Sequence, residues 1–507
     1  STARCSKFSG PPVVMQRQTQ GSVDPDEYWS GHHLYVPGQV DELLLGRGTQ
    51  NTFQPTTGSY PVVTKSHWQL SCITLAPGSE SEGFIALSPS GTQYRFDHLV
   101  SRGYDAIQGL EGTTPRQEIW ILPSKVTDRF GNTVTYTYDG TDPWKVTNIL
   151  ASDGRELRFI YQTDGSYTVT AYSTTTALQR TWSYSADGMT VTLPDQTQWQ
   201  YNLQAAANGK PYFYPAAGCG SNDVWTNGTL SPGPKTSTVT TPSGATVSFT
   251  MDWVAHGTSG LASSASYNPC PLRNATLPSP TPIYGAWSLK TKTITGPGMG
   301  SGASWNYSWS VPEGTWYCGA GCTGTKTVTV TDPEGNATRY TFNNIFEKDG
   351  ELVKLEEGVS GSTALRTTVN TYYSPNVATG DSGQWNGHFL GWTIRALQKR
   401  VITQQDKVFT FEASTADFDA VGRPTKVTRS STLTATPNTV TETTAYQDLK
   451  GPWVINLVSS LTESTTGLKP KETTYTTLGL PYQEYAFGKL KATYTYNTDG
   501  TLQTVKD

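Results

Sequence analysis

Along most of the chain, apolar and polar residues alternate with period two, and turn residues break the alternation at short intervals. The clearest run is Asp128-Arg129-Phe130-Gly131-Asn132-Thr133-Val134-Thr135-Tyr136-Thr137-Tyr138-Asp139-Gly140. Period two places every second side chain on one face of a strand, and the flanking glycines mark tight turns, so the run predicts a β-hairpin unit. The unit returns as Asp153-Gly154, Tyr161 with Asp164-Gly165, Asp187-Gly188, Asp349-Gly350, and Tyr494-Thr495-Tyr496 with Asp499-Gly500. An Asp before Gly can cap its own turn by accepting backbone N–H bonds while the glycine takes positive φ. No helical period of useful length interrupts the pattern, so an all-β, antiparallel chain of hairpins is expected.

The pattern divides the 507 residues into four parts. Residues 1–80 read as an irregular segment with short strands, a plug or cap. Residues 81–205 read as a first hairpin sheet. Residues 206–286, rich in Ala, Gly, Asn and Pro, read as a loop-rich insertion holding one hairpin, with long loops at 206–235 and 254–283. Residues 287–507 read as a second sheet. The last unit closes just before Lys506-Asp507. An open strand edge there leads to the expectation that a C-terminal remainder or a second chain completes the sheet.

Composition narrows the function classes. Tyr (27), Trp (15) and Phe (15) supply much of the apolar area in a chain only 35% hydrophobic, which suits strands with one aromatic and one polar face. A net charge of -4 with only 15% charged residues provides no cationic field for nucleic acid. No stretch approaches the length of an apolar membrane-spanning helix. The six cysteines, Cys5, Cys72, Cys219, Cys270, Cys318 and Cys322, are an even number. Their spacing is not that of a zinc site, which points to disulfides and to a secreted or cell-surface location. Cys318 and Cys322 bracket a short Gly-Ala-Gly loop; proximity suggests Cys5–Cys72 and Cys219–Cys270 for the rest.

Candidate chemistry is sparse. The sequence holds no His-Glu-x-x-His, no Gly-x-Ser-x-Gly, no phosphate loop and no calcium loop, so neither metal nor cofactor is expected and no catalytic residue is assigned. Asp24, Asp26 and Glu27, beside Tyr28 and Trp29, are the carboxylates that a glycan-cleaving enzyme would use. Trp305, Tyr307 and Trp309 fall on one face of a strand and form the candidate glycan-binding row.

The units at 131–140, 136–146, 161–165 and 494–505 resemble the tyrosine–aspartate (YD) repeats of bacterial Rhs proteins, which also occur in teneurins and in the B and C components of insecticidal Tc toxins. Gly83 to Phe96, Gly387 to Trp392, and Asp419-Ala420-Val421-Gly422-Arg423-Pro424 resemble that family too. The resemblance implies an antiparallel hairpin spiral forming part of a hollow shell. In that reading Tyr136, Tyr138, Asp139, Gly140, Tyr161, Asp164, Gly165, Tyr494, Tyr496, Asp499 and Gly500 are structural repeat positions. The implied function is an extracellular shell or scaffold that encloses a polypeptide or binds a partner. The alternatives are a carbohydrate-active enzyme on a β-platform and a glycan-binding adhesin. The aspartyl autoproteolytic segment of cargo-releasing members has no counterpart here, so no cleavage residue is carried over.

Overall fold

A computed structural model describes residues 32–47, 51–75, 82–109, 112–172, 176–203, 212–213, 233–260, 282–300, 302–315, 317–319, 321–373, 394–434 and 438–507. Among them there is no α-helix, only short 3-10 turns such as Thr176–Leu178. The hairpin His33–Val36 with Val40–Leu43 forms a two-stranded sheet of its own. The remaining strands belong to one large antiparallel sheet, which is not closed into a barrel. Strands pair mostly with their neighbours in sequence. The exception is Tyr212–Phe213, which lies against Ile283–Thr295 and leaves Gln198–Asn202 to pair with Lys235–Thr240.

One turn geometry recurs through this sheet. The first turn residue accepts the N–H of the fourth and donates its own N–H to the carbonyl of the fifth. This holds at Ser88, Asp128, Ala151, Gln162, Leu193, Thr241, Asp332, Asp419, Thr476 and Asn497. The pattern is a three-residue hairpin loop whose last residue must be left-handed. Gly154 and Gly165 fill that position with φ of 87° and 91°, and so does Gly500 at 87°. Gln196 occupies it at φ 69° although it has a Cβ.

The aspartates serve the same turn in two ways. Asp153, Asp164, Asp195 and Asp499 sit just before the left-handed residue and accept the N–H two positions on, at 2.9–3.1 Å. Asp128 and Asp332 open the turn, and each takes two backbone N–H groups and the side-chain amide of Asn132 or Asn336.

The two faces of the strands differ as period two requires. In Thr133–Tyr138, Tyr136 and Tyr138 are half-buried while Thr135 and Thr137 are exposed. Opposed hydroxyls form ladders across the threonine face, as in Thr170–Thr181, Thr236–Thr250 and Thr428–Thr441, each at 3.0 Å. The aromatic face stacks across strands: Tyr167 lies 4.5 Å from Tyr184, and Tyr161 5.4 Å from Tyr167. Such cross-strand pairs are the unit of stabilisation in a sheet, at roughly 0.2–1 kcal/mol each.

The chain divides into two compact units. The first comprises residues 1–157, 371–400 and 408–507, and the second 158–370 and 401–407. The first unit holds the densest core. Leu34, Val36, Val40, Leu44, Val62, Trp68, Leu70, Phe84, Ala86 and Phe96 pack together, with Cys72, Tyr94 and Ile121 against them. Each such side chain contributes roughly 1.5–3 kcal/mol on burial. In the second unit the strands are mostly half-buried along their length, as in Thr325–Thr331 and Ala337–Asn343.

The expected loop from residue 254 begins later than the composition suggested. Thr246–Gly257 pairs with Ile283–Thr295 out to Gly257, because Trp253 and Trp287 meet across the ladder at 5.7 Å. Gly140 is a second difference: it does not take positive φ. The loop there runs on to Lys145, whose N–H bonds the Asp142 carbonyl, so the reversal is made by Asp142-Pro143-Trp144.

The turn geometry makes a direct prediction. Gln196→Gly should stabilise the protein by about 1 kcal/mol by removing the left-handed penalty of a residue with a Cβ. Gly154→Ala should destabilise it by a similar amount, since a Cβ there meets nothing within 4 Å and only the backbone is strained. Urea unfolding of the two variants checks both signs.

Candidate functional site

The candidate row Trp305, Tyr307 and Trp309 lies on the strand Ala303–Trp309 of the second unit. All three are half-buried, and Asn306 and Ser308 between them are exposed. The ring faces are partly taken. The Lys292 ammonium sits 4.0 Å over Trp305, as their register positions opposite one another require. Trp309 meets His256 edge-on at 5.0 Å, and its buried indole N–H has no partner. Tyr307 faces Val330 across the ladder.

Around Trp309 lies a polar cluster that the sequence did not single out. His256 Nε2 is 2.9 Å from Ser288 Oγ, and the Ser288 hydroxyl donates to the Ala286 carbonyl. The serine proton is therefore directed away from the ring, and the pair is not arranged as a base and its nucleophile. Burial, with the Lys326 ammonium adding to it, lowers the His256 pKa. Lys326 itself is 2.5 Å from Asp349, whose other oxygen accepts the Thr258 hydroxyl at 2.9 Å. Asp349 was expected to cap its own Asp-Gly turn. Gly350 does take φ 85°, but the carboxylate leaves the turn to meet Lys326 and Thr258.

The repeat tyrosines use their hydroxyls as well as their rings. Tyr138 donates to the Pro123 carbonyl at 2.7 Å and stacks on His98 at 4.0 Å; burial pushes its phenol pKa up. Tyr494 donates to Glu484 at 2.8 Å, and Tyr496 shares its half-buried face. Cys318 and Cys322 form the expected local disulfide. Cys72 is disulfide-bonded too. The pairings expected with Cys5 and between Cys219 and Cys270 lie outside the described residues, as do Asp24, Asp26, Glu27, Tyr28, Trp29 and the 387–392 motif. Among the described residues no three His, Cys, Asp or Glu side chains are grouped to hold a metal ion.

The arrangement that sequence reasoning missed is a seam in the first unit, where residues 53–132 meet residues 419–500. Trp453 is fully buried, and its indole N–H donates to the His67 carbonyl at 3.0 Å. Phe53 packs on both, 5.2 Å from Trp453 and 5.5 Å from His67. Backbone bonds cross the seam from Ile455 N–H to the Pro89 carbonyl and from Thr56 N–H to the Lys450 carbonyl. Beneath it, Arg423 makes a two-pronged bond to Asp448 at 2.7 and 2.9 Å, a third bond to Asp419 at 2.7 Å, and stacks 4.4 Å over Tyr446. Burial alone would raise the Asp448 carboxyl, but Arg423 and the Asn456 N–H hold it below the usual carboxylate value. Only the motif 419–424 hinted at this site, through its Asp and Arg four residues apart.

No known protein family matches the chain, and no curated protein matches it. Among solved structures, a porin-like protein from Bacteroides uniformis aligns at 8% identity over 71% of this chain and 93% of that one, with a TM-score of 0.19. The Tc holotoxin pore of Photorhabdus luminescens aligns at 10% identity over 89% of this chain and 26% of that one, with a TM-score of 0.15. A TcdB2–TccC3 crystal structure aligns at 9% identity over 93% and 30%, with a TM-score of 0.13. This chain thus spans less than a third of either Tc chain. Likenesses this distant decide nothing about function.

The turn carboxylates predict a pH dependence. Asp153, Asp164, Asp187, Asp195, Asp332 and Asp499 are held below the ordinary value of 3.8, first by side-chain donors such as Arg155, Ser166 and Asn336 and then by backbone N–H groups. Their folded pKa is depressed, so their contribution is complete above pH 3.8 and is lost as pH falls through the folded values. The carboxylate contribution should hold down to about pH 5, and denaturation midpoints should drop steeply below pH 4, with a smaller drop in Asp332→Asn.

Proposed function

We propose that this chain is a wall segment: an extracellular or cell-surface repeat scaffold that encloses a polypeptide or presents a surface to a partner. The observation that carries the reading is a turn geometry that recurs from Ser88 to Gly500 within one open antiparallel sheet of half-buried strands. A repeated unit of this kind extends a surface; it does not converge side chains on a reaction centre. In this reading, 81–205 and 287–507 are two runs of one YD-repeat wall in the Rhs manner, 1–80 caps it and 206–286 is an insertion. The oxidised Cys318–Cys322 pair supports an environment outside the reducing cytosol.

The adhesin reading rests on Trp305, Tyr307 and Trp309. It is the weaker reading, because Lys292 and His256 already occupy Trp305 and Trp309. The glycan-cleaving reading rests on acids outside the described residues.

Native mass spectrometry of the protein from its own source, prepared without protease, tests the proposal. A longer chain or a tightly held second polypeptide is the expected result. A chain ending at Asp507 with nothing bound would overturn enclosure. Glycan binding that disappears in Trp305→Ala would replace it with the adhesin.

A further inference from the structure

We propose that Asp139-Gly140 is a site of spontaneous backbone modification, at which the aspartyl linkage converts to the β-linked isoaspartyl form while the other Asp-Gly pairs are protected by their turns. The proposal concerns one hairpin loop of the first unit and stands independently of the function argued above.

The sequence holds six Asp-Gly pairs, at 139, 153, 164, 187, 349 and 499. In each, the glycine nitrogen has no Cβ beside it to hinder its approach to the preceding carboxyl. The structure sets one pair apart. Gly154, Gly165, Gly188, Gly350 and Gly500 are left-handed, and their N–H groups are bonded to the carbonyls of Ala151, Gln162, Ser185, Asn343 and Asn497 at 2.9–3.2 Å. Each of these nitrogens must break a backbone bond before it can react, which requires a local opening of the turn. Gly140 is exposed and not left-handed, and its N–H meets no acceptor among the described residues.

The carboxylates differ in the same sense. Arg155, Ser166, Ser185 and Thr501 place side-chain donors on Asp153, Asp164, Asp187 and Asp499, while Lys326 and Thr258 hold Asp349. Asp139 accepts only the backbone N–H groups of Thr141 and Asp142, both at 2.8 Å and both on one oxygen. These bonds span Gly140 and turn the carboxyl toward it. The second oxygen has no hydrogen-bond donor among the described residues. Backbone donors hold the Asp139 carboxyl below its ordinary value, and side-chain and backbone donors do the same at Asp153, Asp164, Asp187 and Asp499, so ionisation does not separate the sites. The glycine nitrogen does.

The step needs only water. The Gly140 nitrogen attacks Asp139 Cγ, an N–Cγ bond forms, and a Cγ–O bond breaks. The carboxyl hydroxyl leaves with the amide proton as water, and a five-membered imide remains. Water then adds to either imide carbonyl. Opening at Cγ restores Asp139. Opening at the main-chain carbonyl leaves the chain running through Cγ, one atom longer, with a new carboxylate on Cα. Nothing is oxidised or reduced.

The linkage matters because of what the loop holds. The Pro143 carbonyl lies 2.7 Å from His98 Nε2, the Trp144 indole donates to the Ser101 carbonyl at 3.2 Å, and Arg102 stacks 4.4 Å over the Trp144 ring. The Asp139 bonds to Thr141 and Asp142 fix the loop that presents Pro143 and Trp144. Isomerisation removes that cap and lengthens the backbone, which loosens the docking of residues 139–145 on Gln93–Gly109.

Peptide mapping of the folded protein aged at neutral pH, with fragmentation that distinguishes β-linked from α-linked aspartate, tests the site. Isoaspartate should accumulate at 139 several-fold faster than at 153, 164, 187, 349 or 499. Ageing in urea removes the turns, and there the six rates should converge. Gly140→Ala should cut accumulation at 139 several-fold in the folded protein; a Cβ there meets nothing within 4 Å and incurs no left-handed strain, so the variant keeps the fold. In the isomerised fraction the Lys145 N–H, bonded to the Asp142 carbonyl, should exchange faster than in fresh protein. Folded protein that gains no isoaspartate at 139, or gains it as fast at the other five pairs, would overturn the proposal. So would accumulation unchanged in Gly140→Ala, and unchanged exchange at Lys145 would overturn the loosening of the loop.

Discussion

The left-handed residue at the third loop position of the recurring hairpin turn is the constraint on which much of the structure depends. It lets the chain reverse in three residues without opening the ladder, so consecutive strands stay in register and every second side chain returns to the same face. The tyrosine face and the threonine face are consequences of that register. Glycine makes the position inexpensive, and the neighbouring aspartate, serine or threonine satisfies the N–H groups that the tight reversal would leave open. Where the rule is relaxed, as at Gln196, the hydrogen bonds still enforce the same backbone at a conformational cost.

Energetically the two units differ in kind. The first has a packed centre built from Trp68, Leu70, Phe84 and their neighbours, together with a seam around Trp453. Among the described residues of the second, cohesion comes mostly from ladders, cross-strand ring contacts and hydroxyl pairs. Each is small, and their sum scales with the number of strands. Substitutions in the first unit should therefore act through burial, as large effects at few positions, and those in the second through many small increments.

How much could be read from the sequence follows from the range of each interaction. The hairpin turns at Asp153, Asp164 and Asp499 were legible because every atom that decides them lies within five residues. Gly140 was misread because the next residues, Asp142 and Pro143, displace the reversal. Asp349 looked like another turn aspartate; what takes it elsewhere is Lys326, 23 positions earlier, carried beside it by strand register. The Trp305 row shares one half-buried face of its strand, but the side chains that cover it, Lys292 and His256, come from two other strands. Nothing local marks His67 or Trp453, since each acquires its role from the other.

That last contact also bears on how the chain is made. The Trp453 indole and the His67 carbonyl are 386 positions apart, whereas most ladders join neighbouring strands. Local hairpins form in microseconds and need only their own residues, but a contact of such sequence separation must wait until synthesis has passed Trp453. During synthesis at roughly 5–20 residues per second, the surface that will receive Trp453 exists for on the order of 20 to 80 seconds without its occupant. For that interval Phe53 and His67 lack the indole that packs on them, and the N-terminal part of the first unit is at its most vulnerable to wrong partners. Closure of the seam therefore comes after the hairpins that lie between His67 and Trp453 have had time to form.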